Sequence, residues 1–398
     1  MLKHTFLAAS ILSSLTLQSL HAQSWEDTLE EAKGQTVYWN AWGGSDNIND
    51  YIDWIKMNVK DQYQVNLKHV KLADTADAVS RVLAEKAAGN NNKGSIDLIW
   101  INGENFRTLK QNNLLYGPFS HDLPNYAYID ESSKTSLTLD FGTKVEGMES
   151  PWGAAQVIFM YDTDMIEQPP KTMHQLLAYA KNNPGRITYP EPPQFLGTTF
   201  LKQALIETTH YPNALSKPVT QVDFDQVTRP LWSFLDELHP NAWRAGSSFP
   251  SNSEQMIRLL DDQEIDLALS FDVSAASVQI DQGNLSDTVR SYVFERGTIG
   301  NTHFVAIPYN SASTAGAQVV ANFLLSPKAQ IKKQNPTTWG DLSVLSYQNL
   351  NPQDQAKFNA LPRGIATLTL EELGTSLPEP HVSWVEALEN EWRKRYSR

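Results

Sequence analysis

The sequence predicts an α/β protein of two domains, and three observations carry that reading. Apolar, β-branched runs alternate with amphipathic helical stretches along the chain. Its 398 residues correspond to two domains at roughly 100–200 residues each. Hydrophobic residues make up 41% and charged residues 19%, enough apolar material for a large core and too little charge for global disorder.

The first 22 residues, MLKHTFLAASILSSLTLQSLHA, have a positive start at Lys3, a mostly apolar middle and a small residue, Ala22, before Gln23. That is the pattern of a secretory signal peptide cleaved after Ala22. The stretch is too short and too polar for the roughly 20 apolar residues of a membrane span. Cleavage removes one lysine and no acid, so the formal charge of −13 becomes −14. The chain has no cysteine, which excludes disulfides, thiolate metal sites and a lipid-modified N-terminus. The mature protein is therefore expected to be soluble and periplasmic.

Residues 24–33 read as a helix capped by Ser24 and stopped by Gly34. Residues 35–39 read as a strand, and 41–47, with Gly43 and Gly44, as a loop. A helix follows over 48–63 and a strand over 65–70. Asp74 or Thr75 caps a helix whose apolar face is Ala78, Val79, Val82, Leu83 and Ala87. Residues 96–101 are a continuous apolar strand, and 104–115 a helix. Such alternation implies a parallel sheet covered on both faces. The middle repeats the grammar. Strands are expected at 156–161, 186–189, 265–271 and 304–307, and helices at 171–182, 198–207, 254–260 and 315–325. Residues 383–396 are amphipathic, with Trp384, Leu388 and Trp392 on one face. Residues 337–380 are turn-rich.

Chemistry is sparse. Thirty-two Lys+Arg against 45 Asp+Glu argue against a nucleic-acid partner. No Walker A loop, G-x-G-x-x-G, H-E-x-x-H or G-x-S-x-G occurs, and the nine histidines are scattered. The acid pairs Asp162/Asp164 and Asp261/Asp262 read as solvated turn carboxylates. No metal, cofactor or catalytic residue is expected.

Four segments resemble a known family. They are Asp97-Leu98-Ile99-Trp100 with Phe106, Leu109 and Asn113-Leu114-Leu115; Pro151-Trp152-Gly153 with residues 158–162 and Pro170-Lys171-Thr172; residues 264–268; and Ala306-Ile307-Pro308 through Phe323-Leu324-Leu325-Ser326-Pro327. In this order, behind a signal peptide, they resemble the bacterial family 1 extracellular solute-binding proteins of ABC importers, and within these the YnjB type. The resemblance implies a two-lobe periplasmic binding protein fold, type II-like, with the ligand in a cleft between lobes. It implies a signal peptide at 1–22, a first lobe over 23–157, a second over 158–303, a return to the first over 304–335, and a C-terminal segment at 336–398 packed on the second lobe.

Ligands of α/β sheets sit beyond strand C-termini, which selects the candidate residues. In the first lobe these are Trp42, Gly43, Gly44 and Ser45 after the first strand, Asn102, Gly103 and Glu104 after the buried strand, and Trp152 before the crossover. In the second lobe they are Thr198, at the opening of a helix with free amides, and Asp272, after the apolar strand. Trp42, Trp152 and Glu104 suit an organic cation, thiamine-like cargo among them, and the aromatic residues equally suit a sugar. The expected function is a non-catalytic, monomeric receptor that captures a small polar or cationic organic solute and delivers it to an inner-membrane ABC permease. The alternative is a secreted hydrolase or lyase assembled from distant loop residues.

Overall fold

The computed structural model describes residues 24–374 and 376–397. The signal peptide expected at 1–22 lies outside the described residues.

Helix α1 (Trp25–Ala32) is fixed by a capping box between Ser24 and Asp27. It leads into β1 (Thr36–Trp42), α2 (Asp46–Tyr63), β2 (Asn66–Leu72), α3 (Thr75–Ala87), β3 (Leu98–Ile101) and α4 (Gly103–Gln111). A tight hairpin, β4 (Leu139–Asp140) and β5 (Thr143–Lys144), precedes β6 (Glu149–Gln156) and β7 (Ile158–Asp162). The middle supplies α5 (Met173–Asn182), α6 (Phe195–Thr208), α7 (Phe224–Leu238), α8 (Ser253–Asp261), β8 (Leu267–Ser270), α9 (Ala275–Asp281) and β9 (Val289–Tyr292). The return consists of β10 (Gly300–Ala306), α10 (Thr314–Leu324) and α11 (Pro327–Gln334), followed by α12 (Pro352–Asn359), α13 (Leu370–Leu373) and α14 (Ser383–Tyr396).

Two sheets result. The first has the order β2-β1-β3-β10-β6 and the second β8-β7-β9. Among the described strand pairs, β1–β2 and β1–β3 are the parallel ones. β10 runs antiparallel to both β3 and β6, and the second sheet is antiparallel throughout. The parallel arrangement expected from the sequence holds for β1, β2 and β3, and β10 departs from it. Helical connections set β1, β2 and β3 parallel; β10 runs against them, and β6, antiparallel to β10, points the same way as β1, β2 and β3.

The predicted strand at 156–161 is two strands. β6 ends at Gln156 in the first sheet and β7 begins at Ile158 in the second, with Val157 between them. β10 likewise starts at Gly300, and its residues 300–303 already pair with β6, so the return into the first sheet begins before 304. Residues 186–189 are not a strand. Their backbone bonds go singly to separate segments, Arg186 O accepting from Asp266 N and Ile187 O from Trp243 N.

Each sheet has its own core. Trp39, Tyr51, Trp152 and Phe323 centre the first, with Ile99, Ile101, Phe106 and Leu109 packed together as a separate cluster. Phe159, Phe200, Leu235 and Trp392 centre the second. The C-terminal segment divides between them: Trp339 and Val344 join the first core, while Trp384, Leu388 and Trp392 of α14 join the second. The segment 336–398, expected to pack on the second lobe, thus contributes side chains to both cores. Among the described residues, no helix is long and apolar enough to cross a membrane.

Candidate ligand cleft

The chain passes between the sheets at Val157 and again just before Gly300. A third tie lies beside them, where Gly340 O accepts from Ser274 Oγ at 3.1 Å and Leu342 O from Ala154 N at 3.1 Å. An ion network braces this junction. Asp341 Oδ1 lies 3.0 Å from His303 Nε2, and Asp341 Oδ2 accepts from Lys333 Nζ. Lys333, fully buried, also donates to Leu342 O at 2.6 Å. Burial works to raise the Asp341 carboxyl, but Lys333 and His303 together hold it below its ordinary value. Gly153 leaves room for the network: a Cβ there would lie 2.7 Å from His303 Cδ2 and 3.0 Å from Lys333 Nζ.

Aromatic rings wall this network on the first-sheet side. Trp152 lies edge-on to Trp39 at 5.4 Å and to Trp100 at 4.8 Å, and Trp339 stacks on His303 at 5.9 Å. Trp152 was expected to face the cleft. It is instead fully buried, because every residue of β6 is covered on both faces of the sheet. Across the junction, Asp272 is half-buried after β8, and its carboxylate accepts from Ser274 N at 2.9 Å. Burial, aided by the charge of Asp341, pushes its pKa up to about 7. Lys134 is exposed, yet the crowding around its ammonium lowers its pKa against the opposing pull of Asp341.

A second cluster lies around Phe141, between Gly103 of α4 and Lys202 of α6. Gly103, at φ +61°, donates its amide to Asp140 Oδ2 at 2.7 Å and runs past the ring of Phe141, where a Cβ would lie 3.6 Å from Cδ1. From the other side, Lys202 of α6 places its buried ammonium 4.9 Å from the Phe141 ring centroid and 5.9 Å from that of Phe195. The same ammonium lies 2.6 Å from Glu379 Oε2. Thr198 Oγ1 donates to Glu389 Oε1 at 2.6 Å. Burial raises the carboxyl pKa values of Asp140, Glu379 and Glu389, and the nearby charge of Glu104 raises all three further. Glu104 is thus in electrostatic reach of three other acids.

The remaining sequence candidates divide. Trp42 ends β1 instead of lying in a loop, is 39% exposed, and covers Gly44, where a Cβ would meet its Cε2 at 2.6 Å. Gly43 does not offer a free amide: its N–H bonds Leu72 O at 3.0 Å, and its Cα passes tightly by Lys71. Ser45 and Asn102 occupy the N-cap positions of α2 and α4 without a side-chain cap bond. The free amides expected at residues 197–199 are also corrected. α6 begins at Phe195, Gln194 Oε1 accepts from Leu196 N and Gly197 N, and Thr198 N bonds Gln194 O. Gly103, Glu104 and Thr198 come together at the α4–α6 cluster, while Asp272 stands at the junction and Trp42 at the end of β1. Sequence reasoning missed Lys134, Asp140, Phe141, Lys202, His303, Asp341, Glu379 and Glu389. None follows an apolar strand at its C-terminal end, the signal that chose most candidates.

Comparison with known proteins places the chain. The family model for bacterial extracellular solute-binding proteins matches residues 54–348. Protein YnjB of Escherichia coli K12 is 47% identical over 389 residues, covering 97% of this chain and 98% of its own. An ABC transporter structure from Clostridium perfringens superposes with a TM-score of 0.61 at 15% identity, covering 91% of this chain and 99% of that one. The spermidine/putrescine ABC transporter substrate-binding protein PotD of Streptococcus pneumoniae superposes with a TM-score of 0.60 at 13% identity, covering 90% and 99%.

Proposed function

The chain belongs to the bacterial extracellular solute-binding proteins, the receptors that hand substrates to ABC importers, and on that premise we propose that its two sheets are the centres of two lobes closing on a small polar or cationic organic solute. The lobe division falls at the passes near Val157 and Gly300. The receptor works in the periplasm, after removal of a signal peptide near Ala22, as a monomer without catalytic chemistry. Its solute enters between α4 and α6 and beneath Trp42, and its partner is an ABC permease of the inner membrane.

The observation that carries this reading is the junction itself. Two separately cored sheets meet across short chain passes, with charged and aromatic side chains from both sides turned toward each other. Short passes between rigid bodies are what hinge closure requires. Small-angle scattering of the mature protein, with and without solutes that raise its melting temperature, tests it. A bound solute should shrink the radius of gyration and be recovered unchanged. An unaltered profile at saturation, or consumption of the solute, would refute the reading.

A further inference from the structure

The cluster between α4 and α6 gathers more carboxyl groups than cations, and burial favours the neutral form of three of them. Four carboxyl groups, Glu104, Asp140, Glu379 and Glu389, act on one another there; Lys202 is buried among them, and Arg393 acts on Glu389. Lys202 shows what the place is shaped for. Its ammonium sits on two aromatic faces and against a carboxylate, the environment that organic cations seek. A second observation points outward. The Glu379 side chain is 4% exposed, yet its Oε1 has no hydrogen-bond partner. The cluster is also open on one side. Glu104 is exposed, and Phe195 is 48% exposed with its ring 5.3 Å from that of Phe271. Phe141, a bulky residue, is held at φ +43° in the β4–β5 turn, which keeps its ring between Gly103 and Lys202.

We propose that the space between the start of α4 and the start of α6 is the seat for a positively charged nitrogen of the solute, held by Glu104, Glu379 and Glu389 beside the rings of Phe141 and Phe195, with Lys202 as the resident counter-cation. The inference rests on the receptor reading above and narrows it: the cargo is an organic cation and not a sugar. Carboxylates accept any N–H the group offers, and the rings take a permanently charged nitrogen equally well. An arriving cation favours the ionised form of these carboxyls, and its attraction to them weakens as salt is raised.

Calorimetric titration of the full mature protein tests this with four probes: putrescine, choline, thiamine and maltose. At least one of the three cations should bind, more weakly as salt is raised. Glu104→Gln should weaken that binding about tenfold, equivalent to about 1.4 kcal/mol, with the melting temperature kept because Glu104 is exposed. Phe195→Ala should weaken it in the same direction. Binding and closure with maltose but with none of the cations would leave the receptor standing and remove the seat. A cation whose affinity stays within twofold in both variants binds elsewhere, and that result also overturns the proposal. Failure of all three cations at millimolar concentration overturns it whatever maltose does.

Discussion

Two buried lysines invite comparison, because they stand in similar settings and do different things. Lys333 lies at the junction of the sheets, fully buried, with Asp341, His303 and a backbone carbonyl around it. Lys202 lies between α4 and α6, equally buried, with Glu379, two aromatic rings and three further acids around it. The first network closes on itself: each charge has a partner, and the ring of Trp339 covers it. The second is unbalanced and partly open. A balanced buried network fixes two elements relative to each other. An unbalanced one at an opening keeps a preference for whatever restores the balance. Burial alone does not separate a brace from a binding seat; the charge count and the access do.

The largest effect should come from breaking the brace. Lys333→Met leaves Asp341 buried with only His303 beside its carboxylate, and should cost about 3–5 kcal/mol in urea unfolding. Lys202→Met should cost less, about 1–3 kcal/mol, because the neighbouring carboxyls already favour protonation and can neutralise themselves. Equal losses would erase the distinction between the two sites. Gly153→Ala comes next. The added methyl meets His303 and Lys333, and overpacking of that kind costs about 1–3 kcal/mol. A melting temperature unchanged from the parent would show that the brace yields easily.

A pH series sharpens the comparison further. The Asp272 pKa of about 7 stands above the ordinary value near 3.9. Between those values the folded protein holds a proton that the unfolded chain has released. Stability contributed by Asp272 is therefore complete below about pH 4 and is lost as pH rises through about 7. Asp272→Asn should remove that loss, so its melting temperature should gain on the parent between pH 4 and pH 7.5. A constant difference across that range would place the titration elsewhere. The smallest stability effect is expected at Trp42. Trp42→Ala should change unfolding by less than about 1 kcal/mol, since the ring is 39% exposed, while weakening binding of a cation that closes the lobes about two- to thirtyfold. Normal affinity with a sharply lower melting temperature would assign the ring to packing.

Much of the local structure was legible. Ser24 and Asp74 cap their helices as their positions indicate, and the i, i+4, i+8 face of Trp384, Leu388 and Trp392 is buried in the second core. Helix α7 went unread although Val227, Leu231 and Leu235 repeat at helical spacing, because Pro230 interrupts the pattern. Glu104 and Asp272 were chosen for their places just past a strand. Trp152, chosen for its place before a crossover, is fully buried, and that place says nothing about which way its strand is covered.

Sequence by itself determined the class of the fold, the order of most helices and strands, and the absence of known catalytic motifs, since these follow from periodicity, capping and composition within a few residues of one another. The tertiary structure alone decided that β10 returns antiparallel between β3 and β6, that Val157 divides two sheets, and that Glu104, Asp140, Lys202, Glu379 and Glu389 act on one another. Their separations along the chain reach hundreds of residues, and no local preference encodes a contact made only when two cores pack side by side. Coulomb interaction acts through space, so the charge balance of a cleft is a property of the folded chain and not of any stretch of it.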